Sequence, residues 1–515
     1  MKGFQIDNHN NSTISLALDT IQKKKQAIIF ANTKRGAEKT AEDIAKKIKN
    51  IELINLSEEI LKVLSKPTKQ CIRLGNCIKK GIAFHHSGLT SKQRELIEDN
   101  FRTGNIKVIA ATPTLAAGLD LPAFRVIMKD LRRFGHRGMQ FIPVLEYMQM
   151  TGRAGRPKYD KEGEAISVAS TESEAEEIEE RYINGEPEEI FSKLAVEPVL
   201  RTYLLSLISS KYLNAKDKIF DFFSKTFWAF QFEDMEKLKF IIEKMLHQLE
   251  EWKFIESSDT NDGFLSAEEY GTIKYKSTTM GKRVTELYLD PLTANYIMEC
   301  TERTKAKKVE DFSFLQMISH TLEMRPLLST RNADMEYVEE ALLEFDHCLI
   351  DLEPTMYDFE YQEYMNSIKT ALFMKEWTNE IDEENLLEKF NIRPGEIKAK
   401  LNIADWLLYA SEEICRIKKQ HSLISEFRKL RVRLKYGVKE ELLPLLKFKN
   451  IGRVRARSLF RNKIKEVSDV KKVDISTLNQ ILGKKLAADV KRQVGEKVAV
   501  VKENKRKGQI NLKDY

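Results

Sequence analysis

The sequence predicts a multidomain chain: one α/β lobe with a parallel sheet, then a remainder that is mostly α-helical. Three observations carry this expectation. Short apolar runs alternate with helical patterns over roughly the first third of the chain. The strand signal nearly disappears beyond Thr171. A length of 515 residues corresponds to roughly three to five domains of ~100–200 residues.

Ala27-Ile28-Ile29-Phe30 is a short apolar run closed by Asn32-Thr33, the pattern of a strand buried on both faces. Ala37, Ala41, Ile44, Ala45 and Ile48 then recur at helical spacing. Gly81 to Phe84 and Val108 to Ala111 repeat the strand signal, with a helix expected around Gln93 to Phe101 and a further strand at Ala165 to Ala169. These elements define a first domain over residues 1–185. In such sheets ligands sit beyond the carboxyl ends of the strands.

Leu238, Ile241, Ile242, Met245, Leu246 and Leu249 form an apolar helical stripe, followed by Trp252 to Ile255 and a polar Ser257 to Gly263 stretch that reads as a hairpin turn. Helices followed by a small β-wing predict a winged-helix domain over 190–285. The pattern over 286–420 is helical, punctuated by Pro326, Pro354 and Pro394, and 425–515 is a basic block with two further helix pairs.

A hydrophobic fraction of 42% supports real cores, and 32% charged residues give an ionic surface. Met1 to Asn11 lacks an apolar leader core, and no apolar run approaches the ~18 residues that span a bilayer. Five scattered cysteines fit a reducing compartment. The expectation is a cytoplasmic protein with no membrane partner. The formal charge of +7 hides an asymmetry, because Arg428 to Tyr515 holds 26 Lys/Arg against 9 Asp/Glu. A basic segment on an acidic body marks a polyanion-binding module.

The densest chemistry lies in Gln149-Met150-Thr151-Gly152-Arg153-Ala154-Gly155-Arg156-Pro157. Two arginines three residues apart, each after a glycine at a helix end, suit a fork of guanidinium groups reaching a phosphate. No G-x-x-x-x-G-K-[ST] loop occurs to cradle that phosphate. Thr112 to Ala123 follows directly on a strand. Its small residues let backbone approach a ligand, Thr112 and Thr114 offer hydroxyls, and Asp120 offers a carboxylate. Asn32, Thr33 and Thr112 are candidates to contact a nucleic-acid backbone through hydroxyl and main-chain donors. His85 and His86 point apart on a strand and have no partner at ligand spacing, so zinc is not expected and no metal site is assigned. In the basic tail, Leu445 to Gly452 followed by Arg453, Arg455 and Arg457 reads as a helix-hairpin-helix. Gly452 is expected to make its tight turn, and the next helix's first amides to face a phosphate.

Taken together, the Thr112 and Gln149 blocks resemble motifs V and VI of superfamily-two helicases. Phe30-Ala31-Asn32-Thr33-Lys34-Arg35 resembles motif IV, and His85-His86-Ser87-Gly88-Leu89 resembles the H-H-x-G-L segment of Ski-type enzymes. Gly163-Glu164-Ala165, Tyr288 to Thr293 and Ile451 to Arg457 continue the likeness, which covers nearly the whole chain. The family indicated is the archaeal Hjm/HelQ-type DNA helicases, from the second RecA-like lobe onward.

The resemblance implies that Arg153 and Arg156 face the γ-phosphate of ATP, with Gln149 sensing the nucleotide or the bound strand. Gly118, Asp120 and Gly152 would line the nucleotide; Asp120 stands where relatives commonly carry Asn. Lys129 to Phe141, with Arg132, Arg133, Phe134 and Met139, is implied to be a strand-separating hairpin. The helix opened by Arg393-Pro394-Gly395-Glu396 is implied to ratchet along single-stranded DNA, with Trp406 stacking on a base. The family's basic residue before that tryptophan is here Ala399, flanked by Lys398 and Lys400. The arginines of 453–457 are implied to bind DNA and restrain the motor.

The first RecA-like lobe, with its P-loop and acidic metal motif, is not in the sequence. ATP and Mg²⁺ are therefore expected to be bound mainly by a separately encoded first lobe, or by one lost through truncation. The chain alone is expected to be inactive as an ATPase and to take single-stranded or forked DNA. Two rival readings are part of a Ski-type RNA helicase, which usually carries a long insertion not seen here, and a non-catalytic DNA-binding or regulatory subunit.

Overall fold

The computed structural model describes residues 11–49, 52–116, 121–135, 138–156, 160–232, 234–258 and 273–496. The chain divides into two compact units. One comprises Met1–Lys193, Phe227–Glu233 and Glu383–Lys400; the other comprises Leu194–Thr226, Asp234–Asp382 and Leu401–Tyr515.

The strands of the first unit are β1 (Ala27–Phe30), β2 (Ile82–His85), β3 (Val108–Ala111), β4 (Arg125–Met128), β5 (Arg132–Gly135), β6 (Gly138–Phe141) and β7 (Glu164–Ser167). Five of them form a sheet in the order β2-β3-β1-β4-β7, with parallel neighbours throughout. Ile28 lies opposite Ile109 on one side and Val126 on the other. Every residue of β1 to β4 is buried, which is why these strands read as apolar runs rather than alternating ones. The covering helices are α1 (Ser12–Gln22), α2 (Lys34–Ala45), α3 (Ile54–Leu61), α4 (Lys69–Lys79), α5 (Ser91–Arg102), α6 (Val144–Thr151) and α7 (Glu172–Ile178).

Local chemistry fixes where these helices begin. The Thr33 hydroxyl accepts the Gly36 amide at 2.9 Å to start α2, and a Thr90–Gln93 capping box starts α5. Strand β4 was not expected from the sequence, because it opens on a charge. Arg125 is fully buried, and its guanidinium donates to Asp19 at 2.8 Å, to Glu164 at 2.5 Å and to the Leu16 carbonyl at 2.8 Å. A buried charge is tolerated only when paired and hydrogen-bonded in this way.

In the second unit, helix Met235–Glu251 buries Leu238, Ile242, Met245, Leu246 and Leu249, while Ile241 is half-buried. It leads into β8 (Ile255–Ser258), which pairs antiparallel with β9 (Lys274–Ser277). Ser257 and Ser258 are thus strand residues rather than the expected turn, and the remainder of that turn, Gly263 included, lies outside the described residues. Helix Tyr361–Thr378 is buried around most of its circumference, including Lys369, whose ammonium donates to Asp334 at 2.7 Å. The basic block forms its own core from residues such as Leu459, Val470, Leu478, Ala487 and Val490. Among the described residues no helix is long and apolar enough to cross a membrane.

Candidate nucleic-acid cleft and arginine pair

A cleft of about 730 Å³ opens beside the carboxyl ends of β1, β2 and β3; its walls include Asn32, Thr33, Lys34, Ser87, Thr112, Thr114, Arg133, Glu146 and Gln149. The first residues after each strand supply it, as the topology of open parallel sheets dictates. The Thr112 and Thr114 hydroxyl oxygens are 2.9 Å apart. Since the Thr33 oxygen already accepts the Gly36 amide, its hydroxyl proton is free to donate into the cleft. Two basic walls are paired with carboxylates: Lys34 contacts Glu396, and Arg133 meets Glu146 at 2.9 Å.

Asn32 donates its side-chain amide to the Arg132 carbonyl, tying the cleft to the β5–β6 hairpin. In that hairpin Arg132 pairs with Phe141, Arg133 with Gln140 and Phe134 with Met139. Arg132 lies 4.2 Å over the Phe141 ring and meets Glu177 at 2.9 Å, so the base of the hairpin is anchored. Met139 is 59% exposed. The Phe134 side chain and residues 136–137 lie outside the described residues.

The structure separates Gln149 from the two arginines. Gln149 lines the cleft, whereas Arg153 and Arg156 lie outside its described walls. Helix α6 ends at Thr151, and the chain then bridges back so that Ala154 pairs with Ala123. Arg153 donates to the Ala116 carbonyl at 2.6 Å. Arg156 donates to Asp160 and to the Gln26 side-chain oxygen, each at 2.6 Å. The hydrogen bond from Arg156, with a second from Lys25, holds the Asp160 carboxyl below its ordinary range. Gly152 takes an ordinary helical φ of −61°. Gly155 is at φ +91°, and a Cβ on Gly163 would come within 2.4 Å of the Gly155 nitrogen, so this loop rests backbone on backbone. Gly118 and Asp120 lie outside the described residues.

The two histidines go to different carboxylates, His85 to Glu98 at 2.9 Å and His86 to Glu38 at 3.1 Å. The His86 Nδ1 accepts the Gly88 amide at 3.1 Å, so the hydrogen-bond network assigns the ring proton to the nitrogen facing Glu38. Sequence reasoning missed Glu38. It is 2% exposed and also receives Arg73 at 2.8 Å, Gln70 at 3.0 Å and Arg393 at 3.4 Å. Burial pushes its carboxyl upward, but the hydrogen bond from His86 and the charges of Arg393 and Arg73 bring it down to about 2. Burial lowers His86. The available signal was the position of Glu38 between Ala37 and Ala41, on the apolar face of α2.

Lys398 is exposed. In the second unit, Trp406 is half-buried and donates its indole N–H to the Leu287 carbonyl at 3.0 Å. The expected role of Gly452 in a tight turn is corrected: its φ of −113° is extended, a Cβ there would meet nothing within 4 Å, and the left-handed residue is Asn450 at φ +64°. Gly452 instead precedes helix Arg453–Arg461, whose start has no side-chain cap. Arg453 lies 5.2 Å over the Trp377 ring, Arg457 is held by Glu380 and Glu441, and Arg455 is exposed while donating to the Asn450 carbonyl.

A RecA-like parallel-sheet lobe, with a polar cleft at its strand ends and an arginine pair after α6, defines the class: superfamily-two helicases. Residues 9–158 match the family described as "Helicase conserved C-terminal domain", and residues 312–437 match "Archaeal helicase, domain 4". The ATP-dependent DNA helicase Hel308 of Pyrococcus horikoshii is 36% identical over 510 residues, covering 97% of this chain and 68% of that protein. The Hel308 of Methanococcus vannielii is 36% identical over 524 residues, covering 94% and 68%. That of Methanocella arvoryzae is 36% identical over 498 residues, covering 94% and 65%. The chain belongs to the Hel308 family of ATP-dependent DNA helicases.

Proposed function

We propose that this chain provides the second RecA-like lobe and the DNA-handling domains of a 3′-to-5′ DNA helicase. The observation that carries the reading is the division of labour within one lobe. The cleft gathers Asn32, Thr33, Thr112 and Gln149, while Arg153 and Arg156 are fixed elsewhere by backbone and side-chain acceptors. The cleft takes the backbone of single-stranded DNA, and the arginines take the γ-phosphate of ATP. The β5–β6 hairpin parts the duplex, and the helix bearing Lys398 and Trp406 holds the separated strand. Helix Met235–Glu251 with β8 and β9 serves as a winged helix, and the basic block around Arg453, Arg455 and Arg457 as a helix-hairpin-helix DNA contact.

The residues present fit one side of a bound triphosphate, since two oriented guanidiniums suit developing phosphate charge. Bound ATP with Mg²⁺ supplies a transferable phosphoryl group, and its cradle belongs to a first lobe carrying the P-loop. About a third of each relative's length is unmatched by this chain, and in the relatives it is part of the same polypeptide. The comparisons lend no support to a separately encoded first lobe.

The test is ATP turnover on single-stranded DNA. The chain alone is expected to show negligible turnover, and a first lobe, fused or added, should restore it. Robust DNA-stimulated turnover by the chain alone overturns the reading. Equal or tighter binding of single-stranded RNA of the same length would favour the RNA-helicase alternative. DNA binding without restored turnover would favour a non-catalytic subunit.

A further inference from the structure

Glu38 sits one turn into α2, close in sequence to the cleft residues Thr33 and Lys34. Its carboxylate joins three separate segments of the first unit. His86 comes from the stretch that places Ser87 in the cleft wall. Arg73 and Gln70 come from α4. Arg393 immediately precedes helix Pro394–Ile417.

The last of these joints is unusually close. The Gly395 amide donates to the Gly88 carbonyl at 3.0 Å. A Cβ on Gly395 would come within 2.2 Å of the Leu89 carbonyl oxygen, and one on Gly88 within 2.3 Å of the Arg393 Cδ. No side chain can be inserted between the two segments without moving one of them. Glu396 adds a second link, accepting the Arg393 amide at 2.9 Å while contacting Lys34 of the cleft.

We propose that Glu38 is a positioning residue that couples the cleft to the helix start bearing Lys398, so that both grip one DNA strand as a single rigid surface. This rests on the reading of the cleft as a single-strand site. A buried carboxylate cannot release one of its donors without leaving that donor unsatisfied and its own charge less compensated. The network therefore keeps the two contact surfaces at a fixed spacing. Sites coupled through one shared hydrogen-bond and ion-pair network show interaction energies, whereas distant sites with no shared partner add. A Glu38 that merely stabilised the fold would change the melting temperature and leave that coupling untouched.

The test is a double-variant cycle on the full chain, read as the affinity for fluorescein-labelled oligo(dT) by anisotropy. Thr112→Val removes a cleft hydroxyl and Lys398→Ala a helix charge; each is measured alone and together, in the wild-type and Glu38→Gln backgrounds. With Glu38 present, the joint effect should depart from the product of the single effects by about threefold or more. In the Glu38→Gln background it should follow that product. The same departure in both backgrounds overturns the proposal. Should Glu38→Gln fail to give a cooperative melt, Arg393→Met cuts one spoke of the network and carries the same expectation. If neither Thr112→Val nor Lys398→Ala alone weakens binding, the single-strand reading of the cleft fails instead.

Discussion

Arg156 and Asp160 close a two-point ion pair, with Nε donating to Oδ2 at 2.6 Å and Nη2 to Oδ1 at 3.2 Å. The planar fork of arginine is what allows this geometry, and lysine cannot reproduce it. The guanidinium proposed to meet the nucleotide is therefore oriented before any nucleotide arrives. With a first lobe supplied, Arg156→Ala should lower DNA-stimulated kcat by roughly 10³-fold or more, and Arg156→Lys should not rescue it. Asp160→Asn should lower kcat by a smaller factor, since the arginine stays but loses its orienting partner. A kcat for Arg156→Ala within a factor of two of wild type would remove the arginine from the reaction.

Glu146 meets Arg133 at 2.9 Å on the cleft wall, so under the proposed DNA path it competes with phosphate for that arginine. Such exposed pairs are worth little in themselves, so exchanging the carboxylate for a DNA phosphate costs little. Glu146→Gln should tighten single-stranded DNA binding by roughly two- to fivefold at low salt. The gain should shrink as salt rises, because it comes from charge. An unchanged affinity across the salt range would place the DNA backbone away from Arg133.

Two glycines should respond unequally to the same methyl group. Gly395→Ala must push apart the backbone oxygens of Ser87 and Leu89, at 2.4 and 2.2 Å from the added carbon, and should destabilise by about 1–3 kcal/mol. Gly452→Ala adds a methyl with nothing within 4 Å on extended backbone, and should leave stability within about 0.5 kcal/mol. Urea melts of the two variants check both values, and equal losses would contradict the packing described.

The Glu38–His86 pair predicts a two-stage acid response. His86 is held below its usual 6.5, so the unfolded chain takes up this proton first and stability falls as pH drops below 6.5. Glu38 lies at about 2, below its ordinary 4.5. Its contribution is complete above 4.5 and is lost as pH falls from there toward 2. His86→Gln should flatten the first stage relative to wild type, and Glu38→Gln the second, in melting temperatures followed from pH 8 to pH 3.5. Parallel curves for all three proteins would show that neither group is linked to folding.

The legible parts of the fold were those whose signal is local. β1 and β3 are uninterrupted apolar runs, and α6 stops where the glycine-arginine pattern begins. β4 was hidden because its first residue is Arg125, whose burial depends on Asp19 and Glu164, far away in sequence. Glu38 was hidden for the same reason, with His86 and Arg393 lying 48 and 355 residues from it. Its own neighbourhood, Lys34 to Lys39, looks like a solvated basic helix. The turn before Arg453 misled in a different way. Sequence habit assigns left-handed backbone to glycine, whereas asparagine also tolerates it, and Asn450 takes it here.

The contact of Gly155 with Gly163 bears on how this site withstands change. Because the loop before Arg156 rests on main chain, the course of its backbone there owes little to the shapes of surrounding side chains. Side chains nearby can change in size while the loop keeps its seat, whereas a Cβ at Gly163, within 2.4 Å of the Gly155 nitrogen, would dislodge it. The backbone that carries the arginine is thus insulated from much of the sequence divergence in the lobe, while its guanidinium stays tied to Asp160 and Gln26.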